Sequence, residues 1–299
     1  MDNPQVIKKK DDLRWLGGFF DGEGYCSFSP GSPTIGLDNT IVDAIYKCVK
    51  IFSDYGVEAK INIRKKTPKT KKRWDLFINQ ADHAIRAAEV LLPYVFGKRK
   101  QLLLMLEYAN HRKNAQDFHK RMRYLNQTNN ILIKDDEILW KKLGFIYDKQ
   151  HENINDQTQL VITDNFDDLH YLAGVIDAEG CINMHRRHGK CRERFTPQIL
   201  INNTNKKIIS KTVSAIQKMN IGCYVNFRVF QNRNRGRWDV ISSGVKRVKT
   251  FSQKILEFTF IKKEQLKMIN LYCEERLLSP KSLNSSGQNY KSAIEALRN

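Results

Sequence analysis

One short pattern occurs twice in this chain and constrains everything else about it. The first copy is Leu16-Gly17-Gly18-Phe19-Phe20-Asp21-Gly22-Glu23-Gly24, the second Leu172-Ala173-Gly174-Val175-Ile176-Asp177-Ala178-Glu179-Gly180. Each reads as the last two turns of a helix, with apolar residues at helical spacing and a glycine, Gly24 or Gly180, supplying a left-handed stop. Glu23 and Glu179 then fall at helix C-termini, where the macrodipole disfavours a negative charge by ~0.3–1 kcal/mol. A cost incurred at two matching positions implies a use for the charge.

The repeat continues downstream. Glu23 and Glu179 stand 156 positions apart, and Ile35 and Ile199 stand 164 apart, so the second copy carries about eight extra residues between Cys181 and Pro197. In the later register Asn39-Thr40 matches Asn203-Thr204, Arg64 matches Arg228, and Arg73-Trp74-Asp75 matches Arg237-Trp238-Asp239. Phe96, Lys98, Gln101, Leu102 and Tyr108 likewise match Phe260, Lys262, Gln265, Leu266 and Tyr272. So many identities in one register mean two fused copies of one domain, and 299 residues give each copy room for its own core.

Each copy reads as helix, hairpin, helix, hairpin, helix. In the first, strands at Tyr25 to Phe28 and Thr34 to Leu37 flank the turn Pro30-Gly31-Ser32-Pro33. A helix from Ile41 to Tyr55 stops at Gly56, and strands Ala59 to Lys65 and Trp74 to Ile78 flank a basic turn. Helices Ala81 to Leu92 and Lys100 to Tyr108 complete the copy. The domains expected are 1–109 and 168–278. Residues 110–167 read as a linker, with helical spacing at Asp135 to Leu143, and 279–299 as a tail that is a loop to Gln288 with a short helix after it.

Lys plus Arg outnumber Asp plus Glu 51 to 32, a net charge of +19. That excess suits a polyanion, because neutralising phosphates releases counterions. A membrane surface fits poorly: no apolar run approaches ~18 residues and no strongly basic helix has a broad apolar face. Met1 to Asp12 has neither the apolar stretch of a signal peptide nor the acid-poor composition of a transit peptide. Six cysteines without a C-x-x-C pair read as reduced thiols, placing the protein inside the cell, in the compartment of its own genome. Cys181, His185, His188 and Cys191 have spacings compatible with zinc, but the surrounding Arg186, Arg187, Lys190, Arg192 and Arg194 would repel a cation.

Gly18 and Gly22, and Gly174 and Ala178, are small residues four apart on one helix face, a pattern that lets two backbones approach closely or serves packing within one domain. If the two motif helices cross side by side, both glutamates arrive together and need a cation. Hard carboxylate oxygens open to water suit Mg²⁺, whose chemistry with phosphate esters points to a phosphodiesterase acting on DNA.

These residues resemble the LAGLIDADG homing endonucleases in their single-chain, two-motif form, over roughly Asp12 to Tyr108 and Asp168 to Tyr272. The second copy is close to the naming sequence, the first has Gly17 for Ala, and in both Glu replaces the second Asp. The resemblance implies an α+β fold of two pseudo-symmetric αββαββα domains forming a DNA-binding saddle. It implies metal binding by Glu23 and Glu179 with the carbonyls of Gly22 and Ala178, and a basic residue near the scissile phosphates at Lys98 and Lys262. It places a solvent-orienting polar residue at Asn39 and Asn203, or at Asp38 or Asn202 if the alignment slips by one or two positions.

The sheets would read DNA through Arg64, Lys65, Lys71, Arg73, Arg186, Arg187, Arg192, Arg194, Arg228, Arg233, Arg235 and Arg237, since a β-ribbon fits the major groove. Trp74 and Trp238 read as sheet anchors. The expected activity is site-specific double-strand DNA cleavage by a monomer at a long asymmetric target. Two other readings use the same fold: an RNA maturase that binds its intron RNA to assist group I splicing, with or without residual DNA cleavage, and a DNA-binding regulator without catalysis.

Overall fold

The computed structural model describes residues 4–29, 32–65, 71–110, 115–128, 168–188, 193–229, 236–278 and 284–297. Its elements run α1 (Pro4–Glu23), β1 (Gly24–Ser29), β2 (Ser32–Asn39), α2 (Val42–Ser53), β3 (Lys60–Arg64), β4 (Arg73–Ile78), α3 (Ala81–Leu91), α4 (Arg99–Asn110) and α5 (Ala115–Thr128) in the first half. The second half follows as α6 (Asp168–Glu179), β5 (Gly180–His188), β6 (Glu193–Asn203), α7 (Lys206–Lys218), β7 (Tyr224–Val229), β8 (Gly236–Ser243), α8 (Val245–Ile255), α9 (Lys263–Leu278) and α10 (Asn284–Ala296). The fold is α+β, with the same antiparallel four-stranded sheet built twice, in orders β1-β2-β4-β3 and β5-β6-β8-β7. The chain divides into two compact units, residues 1–131 with 170–178, and residues 132–169 with 179–299.

Strand alternation gives each sheet an apolar and a polar face. In the first sheet Cys26, Ile35, Leu37, Leu76 and Ile78 are buried on the helix side, with Ile35 opposite Ile78 and Leu37 opposite Leu76. Against them α2 presents Ala44, Ile45, Cys48, Ile51 and Phe52, a stripe at helical spacing. That helix ends as the sequence implies: Gly56 takes φ 71° and Val57 N–H bonds Phe52 O at 3.0 Å. In the second sheet Ile182, Ile199, Ile201 and Val240 fill the corresponding positions. The matching helix α7 is capped by Asn205, whose side chain accepts from Lys207 N–H at 3.0 Å.

Two expectations are corrected. The motif helices do not stop at left-handed glycines: among the described residues only Gly56, Gly244 and Asn220 have positive φ. Gly24 is needed for a different reason, since a Cβ there would lie 2.3 Å from the Phe20 ring. The tail is not a loop to Gln288, because α10 already begins at Asn284.

Helix α10 packs on β5 and β6 and meets α9 through Tyr290, whose ring lies edge-on to Tyr272 at 5.5 Å. Helix α5, which opens the stretch read as linker, does the same for the first sheet. Its Phe118 lies edge-on to Tyr108 at 5.4 Å and packs on Phe28 of β1. Tyr108 and Tyr272 are repeat partners, so each half closes with a further helix on an equivalent aromatic. The linker helix expected at Asp135 to Leu143 and the tip of the hairpin at Pro30 and Gly31 lie outside the described residues.

Candidate functional site

Each half builds its candidate site at the end of its own motif helix. Helix α1 packs against residues 170–178 of α6 within one compact unit, and the contact is reciprocal. A Cβ on Gly18 would lie 2.1 Å from Tyr171 O, and one on Gly174 the same 2.1 Å from Trp15 O. Trp15 and Tyr171, themselves repeat partners, each donate to the buried motif aspartate opposite: Trp15 Nε1 to Asp177 Oδ2 at 2.9 Å, Tyr171 Oη to Asp21 Oδ2 at 2.8 Å. The glycines are therefore there for backbone approach, and two hydrogen bonds lock the helix pair.

Asp21 also ties the helix end to a distant turn. Its Oδ2 accepts from Phe96 N–H at 2.8 Å, and its Oδ1 from the N–H groups of Gly97 and Lys98 at 3.0 and 3.1 Å. Burial pushes this carboxyl above the usual range; the nearby Lys98 ammonium, the Phe96 and Gly97 N–H groups and the Tyr171 hydroxyl oppose that shift. Because every neighbour donates, the carboxylate is the form this pocket accommodates.

The turn so fixed delivers Lys98, half-buried just ahead of α4, onto the last turn of α1. Its Nζ donates to Phe20 O at 3.0 Å, to Asp21 O, and reaches Gly22 O at 3.5 Å. Those carbonyls have no partners in their own helix, and a cation is favoured there by the helix dipole. Lys262 occupies the same place in its repeat, half-buried just before α9, where its carbonyl accepts from Leu266 N–H at 2.9 Å.

Beside this helix end stands Glu23, whose Oε1 accepts from Asn39 Nδ2 at 3.2 Å. Asn39 cannot turn round, because its Oδ1 accepts from Ile41 N–H at 2.8 Å. The second half repeats both bonds: Asn203 Nδ2 donates to Glu179 Oε1 at 3.1 Å, and Asn203 Oδ1 accepts from Asn205 N–H at 2.7 Å. A strand-end asparagine thus fixes the orientation of each motif glutamate. Asp38 instead pairs with Arg73, at 2.6 Å, so it is Asn39 that meets the glutamate.

The polar faces of the sheets carry most of the described basic candidates. Arg64 and Arg73 are paired across β3 and β4, and Arg228 and Arg237 across β7 and β8. Each makes an ion pair with an aspartate on its own sheet. Lys65 and Lys71 are exposed. Arg186 is exposed too, but alternation puts it on the side of Ile182 and Met184, opposite the other arginines. The side chains of Arg187 and Arg194, and all of Arg192, Arg233 and Arg235, lie outside the described residues. Trp238 is buried against Phe227, ring centroids 4.3 Å apart, and Trp74 is half-buried under Lys72; both anchor sheets as expected.

Among the described residues no three His, Cys, Asp or Glu side chains gather to hold a metal ion by themselves, and Cys191 of the zinc pattern lies outside them. Nor is any described helix long and apolar enough to cross a membrane.

Residues 11–91 match the family model described as a LAGLIDADG-like domain. Within the first half, residues 11–91 are thus a LAGLIDADG-like domain. The fold of the chain is similar to that of solved LAGLIDADG homing endonucleases over nearly its whole length. The I-LtrWI LAGLIDADG homing endonuclease bound to target DNA is 15% identical, with 97% of this chain and 98% of that one aligned at a TM-score of 0.65. The meganuclease I-AabMI bound to uncleaved DNA is 17% identical, covering 95% and 97% at 0.59. The I-SmaMI homing endonuclease bound to cleaved DNA is 10% identical, covering 96% of each at 0.62. No curated protein matches the sequence significantly.

Sequence reasoning passed over four acids. Asp21 and Asp177 lie inside the motif itself, and Asp75 with its partner Asp239 inside the matched Arg-Trp-Asp. The signal for each was a carboxylate repeated in an otherwise apolar segment, which is too costly to bury without a set of donors.

Proposed function

We propose that the chain is a site-specific endonuclease that cuts both strands of a DNA duplex at a long, asymmetric target, as a monomer and with a divalent cation, Mg²⁺. The observation that carries this reading is the duplicated glutamate and asparagine pair at the end of a motif helix, with the same bond in each half at 3.2 and 3.1 Å. A protein that only binds DNA, or only folds an intron RNA, has no need of two such carboxylates. The similar structures solved with target, uncleaved and cleaved DNA support the same reading.

The donor chemistry fits the cation: a carboxylate at a helix end, next to carbonyl oxygens that have no partner within the helix. Glu23 with Gly22 O, and Glu179 with Ala178 O, would hold it. With so few protein oxygens, its remaining positions would be left to water and DNA phosphate. When bound, the cation supplies Lewis-acid polarisation of a phosphoryl oxygen and lowers the pKa of a coordinated water.

The protein's own residues do the rest. Asn39 and Asn203 orient the carboxylates and leave their acceptor oxygens committed to the backbone. Lys98 and Lys262 bring positive charge to the helix ends, where charge develops on the scissile phosphate. Asp21 holds the backbone around Lys98 through three N–H groups. Arg64, Lys65, Lys71, Arg73, Arg228 and Arg237 contact the duplex from the polar sheet faces. Strands β5 and β6, at 9 and 11 residues, exceed β1 and β2 at 6 and 8, which lengthens the target on one side.

The test is to select duplexes from a random library with the full chain, then add Mg²⁺ or EDTA. The reading requires double-strand breaks in the selected duplex with Mg²⁺ alone. A duplex that is selected but never cut would leave a DNA-binding regulator.

A further inference from the structure

The polar face of each sheet buries an aspartate beneath arginines, an unexpected place for a carboxylate on a surface meant for phosphates. Asp75 is 5% exposed and Asp239 fully buried. They are repeat partners, and each lies on the polar face by register, opposite Asn62 and Asn226. An acid there repels DNA, unless its charge is used within the protein.

The use is visible in how the guanidinium groups are held. Arg64 engages Asp75 Oδ2 by its inner edge, Nε at 3.2 Å and Nη2 at 2.7 Å, while its side chain remains 61% exposed. Tyr25 holds the other oxygen: its hydroxyl donates to Asp75 Oδ1 at 3.2 Å, and its ring lies across Gly36, where a Cβ would come within 2.2 Å. In the second sheet Arg228 and Arg237 share one carboxylate as ion pairs, with Nε of Arg228 at 2.6 Å from Oδ2 and Nε of Arg237 at 3.0 Å from Oδ1, contacts of charge rather than well-aligned hydrogen bonds. Arg228 is 48% exposed. An arginine whose Nε side faces a buried carboxylate, by hydrogen bonds as in Arg64 or by ion pairing as in Arg228 and Arg237, presents its outer N–H groups, the edge that pairs bidentately with guanine O6 and N7.

The two faces also differ. In the first, Arg73 has its own acid, Asp38, at 2.6 Å. The matching position in the second is Asn202, so two cations there share one anion.

We propose that Asp75 and Asp239 are positioning residues for sequence readout: they anchor Arg64, Arg228 and Arg237 by the inner edge so that the outer edge reads guanine. The inference rests on the DNA reading above. It predicts that these acids set base preference and not affinity, because removing one adds a net positive charge to a surface that binds a polyanion.

The experiment is a parallel selection from a random duplex library with wild type, Asp75→Asn and Asp239→Asn, followed by the affinity of each for unselected duplex. Asp239→Asn should lose about tenfold in preference for guanine at positions read by the second half, leave the first half's positions unchanged, and bind unselected duplex at least as tightly. Asp75→Asn should do the converse. If an Asn variant does not fold, Arg228→Lys keeps the ion pair without the planar fork and should lose the same guanine preference. Unchanged base preferences in these variants would overturn the proposal and leave the acids as structural supports only. If wild type itself enriches no sequence, the DNA reading fails before the positioning role is reached.

Discussion

Replacing Gly18 by alanine tests whether the motif helices are held by backbone approach. The new Cβ would lie 2.1 Å from Tyr171 O, and ordinary contact begins near 3.4 Å, so the helices must part by about 1.3 Å. That movement would carry the Trp15–Asp177 and Tyr171–Asp21 bonds, now 2.9 and 2.8 Å, to about 4 Å, beyond hydrogen-bonding range. A buried bond to a charged group contributes ~1.5–3 kcal/mol, and overpacking adds a further cost of ~1–3 kcal/mol. Against these stands the ~1 kcal/mol that alanine gains over glycine in a helix. The net is a loss of about 3 kcal/mol or more, which should lower Tm by about 10 °C in a thermal melt. Gly174→Ala should behave alike, because its clash with Trp15 O is the same 2.1 Å. If either variant melts at or above the wild-type temperature, propensity has outweighed packing and the close approach is not what holds the helices.

Lys98→Ala and Lys262→Ala should slow cleavage more than they weaken binding, measured as single-turnover rate against Kd; equal losses would make them ordinary phosphate contacts. Asn39→Ala or Asn203→Ala should leave affinity near wild type and reduce the cleavage rate about tenfold, since only the orientation of a glutamate is lost; unchanged rates would show that the glutamate needs no such support. Trimming residues 186–193 should shorten the DNA footprint on one side, and each lost phosphate contact should flatten the log K against log salt slope by ~0.9; an unchanged footprint would place this hairpin away from DNA.

The duplicated fold was legible because residues with chemical duties recur in register: Asn39 with Asn203, Lys98 with Lys262, and the motif itself. Of the closing helices, α10 was read only in its second part, after Gln288, and α5 was not read, because the two sit at different distances from their partners Tyr108 and Tyr272. Helix α5 is also largely polar, burying little beyond Phe118 and Met122. Gly24 misled in type: a glycine after a helix suggests a left-handed cap, yet here the chain enters a strand directly and the missing side chain makes room for Phe20. For Glu23 and Glu179 the charge at a helix C-terminus was visible in sequence, while the asparagine bonds came from strand ends that only the fold brings near. Asp75 and Asp239 looked like ordinary strand charges, and their burial depends on arginines from the facing strand.

Strand-resolved cleavage by Glu23→Gln, Glu179→Gln and the double variant tests the central claim most directly. The amide keeps the size of the side chain and removes the charge that would hold the cation. Each single variant should bind the selected duplex like wild type and, with Mg²⁺, cut at most one strand, while the double variant should cut neither. Double-strand breaks at the wild-type rate from either single variant would contradict the assignment of these carboxylates.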